Sequence, residues 1–215
     1  MSYLQIAIDG PAGSGKSTVA KEIAKRLEIT YLDTGAMYRA ITLAAVRQNA
    51  DLQNADDLKA IVDAIDLDIT PTHFYIDGED VTDAIRSPEV TRNVSYVSMD
   101  GYVRSKMVAL QQKIASDKSV IMDGRDIGTV VLPFANYKFF LIADPVERAK
   151  RRKLELDVKG YETTLEALTQ EIIARDKLDS EREVSPLKRA VDAIQIDTTC
   201  LSIEEVIQKI LTYIQ

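Results

Sequence analysis

The sequence has 215 residues, 46% hydrophobic and 28% charged, which suits one well-buried core in an ordinary soluble globular protein. A formal net charge of -7 repels nucleic-acid backbones, and the single Cys200 and single His73 exclude an internal disulfide and leave little for a zinc centre or a Ser-His-Asp system. No apolar run is long enough to cross a bilayer, and the N-terminus enters a strand without the basic flank of an export signal, so a cytoplasmic protein with no nucleic-acid or membrane partner is expected.

Short apolar runs alternate with amphipathic stretches, the pattern of a parallel sheet flanked by helices. The first strand is expected over Leu4–Asp9. It leads into Gly10-Pro11-Ala12-Gly13-Ser14-Gly15-Lys16-Ser17, which fits G-x-x-x-x-G-K-[ST] and is followed by Thr18 and an amphipathic helix carrying Val19, Ile23 and Leu27. Glycines let successive backbone N–H groups converge on phosphate oxygens, and the helix N-terminus adds its dipole. In this arrangement Lys16 reaches the β- and γ-phosphates of a nucleoside triphosphate, and the Ser17 hydroxyl binds Mg²⁺.

A second strand is expected over Thr30–Asp33, with Arg39 on the helix that follows in "DTGAMYR". Asp33 ends that strand, where a carboxylate binds substrate or metal or caps the next helix. From Leu67 to Val81 alternating residues surround Asp77-Gly78, which reads as a hairpin inside an otherwise α/β chain. His73 within it has no expected role. A third strand over Ser119–Asp123 ends beside Arg125 and Asp126 in "DGRDIG", where sites form in open α/β sheets. There Asp123 is placed to hold Mg²⁺ through a water, and Asp126 to accept hydrogen bonds from a substrate.

The fourth strand, Lys138–Ile142, precedes Asp144-Pro145-Val146-Glu147, a helix start with cap, proline and acid in order. "RAKRRK" follows, with Arg148 and Arg152 on one helix face and Arg151 nearby. Thr163-Thr164-Leu165-Glu166 has capping-box spacing ahead of a helix expected through about Lys177. Arg175, near its end, and Arg182 lie seven apart, on one face if the helix continues that far. A last strand over Ala193–Asp197 and a helix from Ser202-Ile203-Glu204-Glu205 toward Ile214 close the chain.

A phosphate loop serves switches, motors and kinases alike. No Asn-Lys-x-Asp occurs to read guanine, and a motor needs more chain. A small-molecule kinase needs a second anion site, which the arginines at strand ends and on one helix face supply. A slow ATP-hydrolysing regulatory module is the competing class, and it needs no such second site.

"IDGPAGSGKST", "DTGAMYR", "MDGRDIGTVV" and "ARDKLDSER" together resemble the bacterial type of cytidylate kinase, a nucleoside monophosphate kinase, over almost the whole chain. The resemblance implies a five-stranded parallel core in a single domain over 1–215, an inserted monophosphate-binding region near 66–97 and a short lid near 148–162. It implies transfer of the ATP γ-phosphate to CMP or dCMP with Mg²⁺, in a monomer of pyrimidine nucleotide metabolism. Carried over residue by residue, Thr34, Arg39, Arg125 and Arg182 would hold the acceptor phosphate, with Thr34 keeping the hydroxyl of the family's usual serine. Ser95, Arg104 and Asp126 would read cytosine, Arg175 and Asp179 would hold the ribose, and Arg148, Arg151 and Arg152 would close over the phosphates. The family reading leaves UMP or shikimate as alternative acceptors.

Overall fold

A computed structural model describes residues 3–70, 72–158 and 160–214. Pro71 of the expected hairpin and Lys159 of the expected lid lie outside them. The chain divides into two compact units, Met1–Tyr31 with Ser119–Gln215, and Leu32–Lys118.

The first unit is built on parallel strands. β1 (Gln5–Asp9), β2 (Thr30–Asp33, which runs across the unit boundary), β6 (Val120–Gly124), β7 (Tyr137–Ile142) and β8 (Ile194–Asp197) form one sheet in the order β2-β6-β1-β7-β8. The expected parallel core is borne out: β1 pairs in parallel with β6 and β7, and β7 with β8. Central strands β1 and β6 are buried on both faces, whereas the edge strand β8 buries Ile196 but leaves Gln195 and Asp197 exposed. An all-apolar reading therefore fits the centre of the sheet better than its rim.

Ile6, Ile8, Ile121, Phe139, Leu141 and Ile196 pack with Val19 and Ile23 of α1 (Lys16–Leu27) and with Val206, Ile207 and Ile210 of α8 (Ile203–Leu211). α8 starts on the expected capping box, Ser202 with Glu205, but the chain leaves the helix at Thr212, and Ile214 packs on the core from beyond its end. A smaller cluster of Ala149, Leu156, Leu168 and Ile172 joins α6 (Pro145–Val158) to α7 (Leu165–Glu181). Asp144 starts α6 as expected, its Oδ1 accepting from Val146 and Glu147 N–H.

α7 differs from expectation at both ends. Its N-cap is Thr164, whose Oγ1 accepts from Ala167 N–H, so Thr163 and Glu166 are one residue out of register for a capping box. It also runs four residues past Lys177, yet stops before Arg182, which has the extended ψ of 140°.

In the second unit, α2 (Thr34–Arg47) is buried along most of its length and packs with α3 (Ala55–Ala64), α4 (Pro88–Met99) and α5 (Gly101–Ala115). All four helices carry side-chain caps: Asp33 for α2, Asn54 for α3, Ser87 with Pro88 for α4, and Asp100 for α5. The expected hairpin is a three-stranded antiparallel sheet of β3 (Leu67–Ile69), β4 (Phe74–Ile76) and β5 (Glu79–Asp80). Asp77 and Gly78, with φ of 52° and 82°, make the tight turn between β4 and β5 alone. A second reversal, closed by Thr70 N–H on His73 O, precedes it.

Candidate active site

The loop after β1 has the shape that phosphate binding requires. Gly10 has φ 152°, and a Cβ there would lie 2.2 Å from Leu141 O, so only glycine fits. Gly15, at φ 86°, turns the chain into α1, whose first turn has no side-chain cap over its N–H groups. Lys16 is buried and its Nζ donates to Pro11 O at 3.1 Å, which folds the ammonium back over the loop. Ser14 Oγ also donates to Pro11 O. Thr18 follows on the exposed side of α1.

Ser17 and Asp123 meet. Ser17 Oγ donates to Asp123 Oδ2 at 2.7 Å, and Tyr31 OH donates to Asp123 Oδ1 at 2.8 Å. A hydroxyl beside a carboxylate at the foot of a phosphate loop suits Mg²⁺, which takes one or two protein oxygens and completes its octahedron with phosphates and waters.

A cluster of arginines and carboxylates forms where β6 ends and α7 runs out. Arg125 Nε donates to Asp179 Oδ2 at 2.8 Å, from a half-buried guanidinium to a buried carboxylate. Burial opposes the Arg125 charge, yet the carboxylates of Asp179, Asp123 and Asp176 hold its pKa above the ordinary value. Burial likewise favours a protonated Asp179, but Arg125, Arg175 and Arg182 outweigh it and hold the carboxyl below the usual range. Arg182 approaches Asp126 at 3.7 Å while its Nε donates to Ser185 O at 2.6 Å. Arg125, Asp126, Arg175, Asp179 and Arg182 thus converge, although Arg182 reaches the cluster from just beyond the helix and not from its face.

The second unit holds the remaining expected residues in two groups. Asp33 is both cap and anchor: Oδ1 accepts from Ala36 N–H, and Oδ2 takes Arg39 at 3.0 Å and Arg86 at 3.3 Å, beside the buried Thr34. Arg104 is only 2% exposed; it donates to Ser98 O and lies over the Tyr38 ring, 5.3 Å from its centroid. Ser98 Oγ in turn donates to Ser95 O, so Ser95 and Arg104 share one buried corner.

The three arginines of "RAKRRK" point three ways. Arg148 is buried and donates to Ala143 O, to Ala12 O of the phosphate loop and to Asp176 at 2.6 Å. Arg151 donates to Thr198 O at 2.6 Å. Arg152 pairs with Glu155 at the surface. Despite their i, i+4 spacing, Arg148 and Arg152 share no partner among the described residues.

Five residues of the site escaped the sequence reading. Tyr31 and Thr198 brace Asp123 and Ser14 O, Asp176 anchors Arg148, and Arg86 joins Arg39 on Asp33. The fifth is Asp9, which accepts from Ile127 and Gly128 N–H. Only Asp176 carried a signal, its place between Arg175 and Asp179 in one motif.

A family model described as Cytidylate kinase matches residues 6–215. The cytidylate kinase of Bacillus cereus is 52% identical over 215 residues, covering 98% of this chain and 96% of its own. That of Bacillus thuringiensis is 53% identical over 212 residues, covering 97% and 94%. Among solved structures, a shikimate kinase from Bacteroides thetaiotaomicron superposes with a TM-score of 0.52 at 12% identity over 99% of both chains, a likeness of fold alone. With a family match over nearly its whole length and relatives at half identity, the chain belongs to the cytidylate kinase family.

Proposed function

We propose that this protein transfers the γ-phosphate of ATP to CMP or dCMP, releasing ADP and CDP or dCDP. The observation that carries the reading is the convergence of Arg125, Arg175 and Arg182 on Asp179, with Arg182 also facing Asp126, past the end of β6. Three guanidinium groups gathered past one strand end suit a second phosphate, which a nucleotide switch would not need.

In this reading Gly10 to Thr18 bind ATP, with Lys16 on the β- and γ-phosphates. Thr34, Arg39, Arg125 and Arg182 hold the acceptor phosphate, Ser95, Arg104 and Asp126 read cytosine, and Arg175 with Asp179 hold the ribose. An acceptor phosphate oxygen attacks the γ-phosphorus as the bond to the β-phosphate oxygen breaks and ADP leaves. That oxygen is already anionic, so positioning and charge stabilisation carry the rate and no strong base is required. Ser17 would hold Mg²⁺ directly and Asp123 through a water; when bound, the ion would offset charge on the β- and γ-phosphates. Arg148 and Arg151, now on carbonyls beside the loop, and Arg152 supply the charge that meets the transferring group. The protein acts as a cytoplasmic monomer.

Coupled detection of ADP with saturating ATP and a panel of CMP, dCMP, UMP, shikimate or no acceptor tests this. CMP and dCMP should each drive turnover well above the acceptor-free rate. Equal rates with and without CMP would refute the reading, and a preference for UMP or shikimate would reassign the acceptor.

A further inference from the structure

β1 ends in a carboxylate that the chemistry above does not use. Asp9 is 3% exposed and immediately precedes the phosphate loop. Its two oxygens are both engaged by a distant segment: Oδ1 accepts from Ile127 N–H and Oδ2 from Gly128 N–H, each at 2.8 Å. These two residues open the wide helical turn Ile127–Val131 that follows Asp126.

The position of this clamp is informative. The backbone ladder between β1 and β6 ends at the pair Asp9 and Gly124. Past that pair the two chains part, one into the donor loop and the other into Arg125 and Asp126, and the Asp9 side chain joins them where backbone pairing has stopped. Contact is close: a Cβ on Gly128 would lie 3.3 Å from Asp9 Oδ2 and 3.2 Å from Lys138 Cδ. Lys16 from α1 and Asp126 from the loop after β6 are the charged groups acting on Asp9, in opposite directions. Burying a carboxylate is costly unless its oxygens are hydrogen-bonded, and here both are. Two acceptor oxygens for two successive N–H donors is what a carboxylate supplies and an amide cannot.

The geometry points to Asp9 as a positioning residue that fixes the Arg125–Asp126 segment against the strand carrying the donor loop, so that acceptor and γ-phosphate meet in register. This rests on the proposed CMP phosphorylation. Misplacement of reacting groups by about 1 Å costs on the order of a hundredfold in rate.

Asp9→Asn tests it, because the amide keeps the shape but turns an NH₂ group toward one of the two N–H donors. In the folded variant kcat should fall about tenfold or more while the Michaelis constants for ATP and CMP stay within about threefold, since both substrates still bind. Gly128→Ala leaves the carboxylate in place but crowds it, and should show the same split to a smaller degree; it decides the matter if Asp9→Asn does not fold. A folded Asp9→Asn or, in its place, a Gly128→Ala with kcat within about twofold of the parent would overturn the inference. So would a loss carried by either Michaelis constant with kcat intact. A parent protein without CMP-dependent turnover would instead remove the functional reading beneath it.

Discussion

Arg148→Ala removes a side chain that makes three separate contacts within one unit. Its guanidinium donates to Ala143 O at 2.9 Å, Ala12 O at 3.1 Å and Asp176 Oδ2 at 2.6 Å, and the residue is 3% exposed. Truncation leaves a carboxylate without its cation and two carbonyls without this donor. Breaking a buried pair costs about 3–5 kcal/mol, and because the Asp176 side chain retains 24% exposure, water reaches it and the lower figure applies. For a chain of 215 residues, about 3 kcal/mol corresponds to a fall in Tm of about 6–12 °C. Ala12 lies in the donor loop, so the KM for ATP should rise and kcat should fall by about tenfold or more, less than the largest arginine effects because several arginines share the task. Thermal unfolding and steady-state kinetics read both effects. Arg152→Ala is the control: its surface pair with Glu155 should be worth under about 1 kcal/mol. An Arg148→Ala variant that melts within about 2 °C of the parent would refute the reasoning, since under 1 kcal/mol would then ride on those three contacts.

Lys16→Ala should cut kcat by about two orders of magnitude or more with the circular dichroism spectrum unchanged, as the ammonium meets phosphates whose charge shifts during transfer; near-normal turnover would remove the donor assignment. Arg104→Met should raise the KM for CMP far more than that for ATP, because it deletes donors from the corner shared with Ser95 while keeping much of the bulk. Asp9 gives a pH signature. Burial, the largest influence, lifts its pKa from 3.8 to about 7, so the folded protein retains a proton that the unfolded chain gives up. This group therefore lowers stability as pH rises from about 4 to about 7, by about 4 kcal/mol in all. Urea unfolding across that range should show the parent losing stability relative to Asp9→Asn, and parallel curves would contradict it.

Much of the fold was legible because its signals are local. Apolar runs located all five parallel strands to within a residue, and the phosphate loop announced itself through glycines that no other residue could replace, as the Gly10 contact with Leu141 shows. Errors arose where two local signals competed. Thr163 and Thr164 are both plausible caps, and only packing of Leu165 and Leu168 on α6 selects the second. Alternation from Leu67 to Val81 revealed strands but not their number, since a single Asp-Gly pair drew attention to one turn. The site was legible as a set of charged residues but not as a set of pairings. Nothing near Asp9 in sequence indicates that its partners are Ile127 and Gly128, and nothing in the 3.6-residue period reveals that Arg148 turns inward while Arg152 does not.

Transfer of label from [γ-³²P]ATP tests the central claim most directly. Incubated with Mg²⁺ and CMP, the protein should move the label into CDP, with little release as free phosphate, and omission of CMP should leave it on ATP. Label appearing as inorganic phosphate at a rate indifferent to CMP would contradict phosphorylation of a cytidine monophosphate.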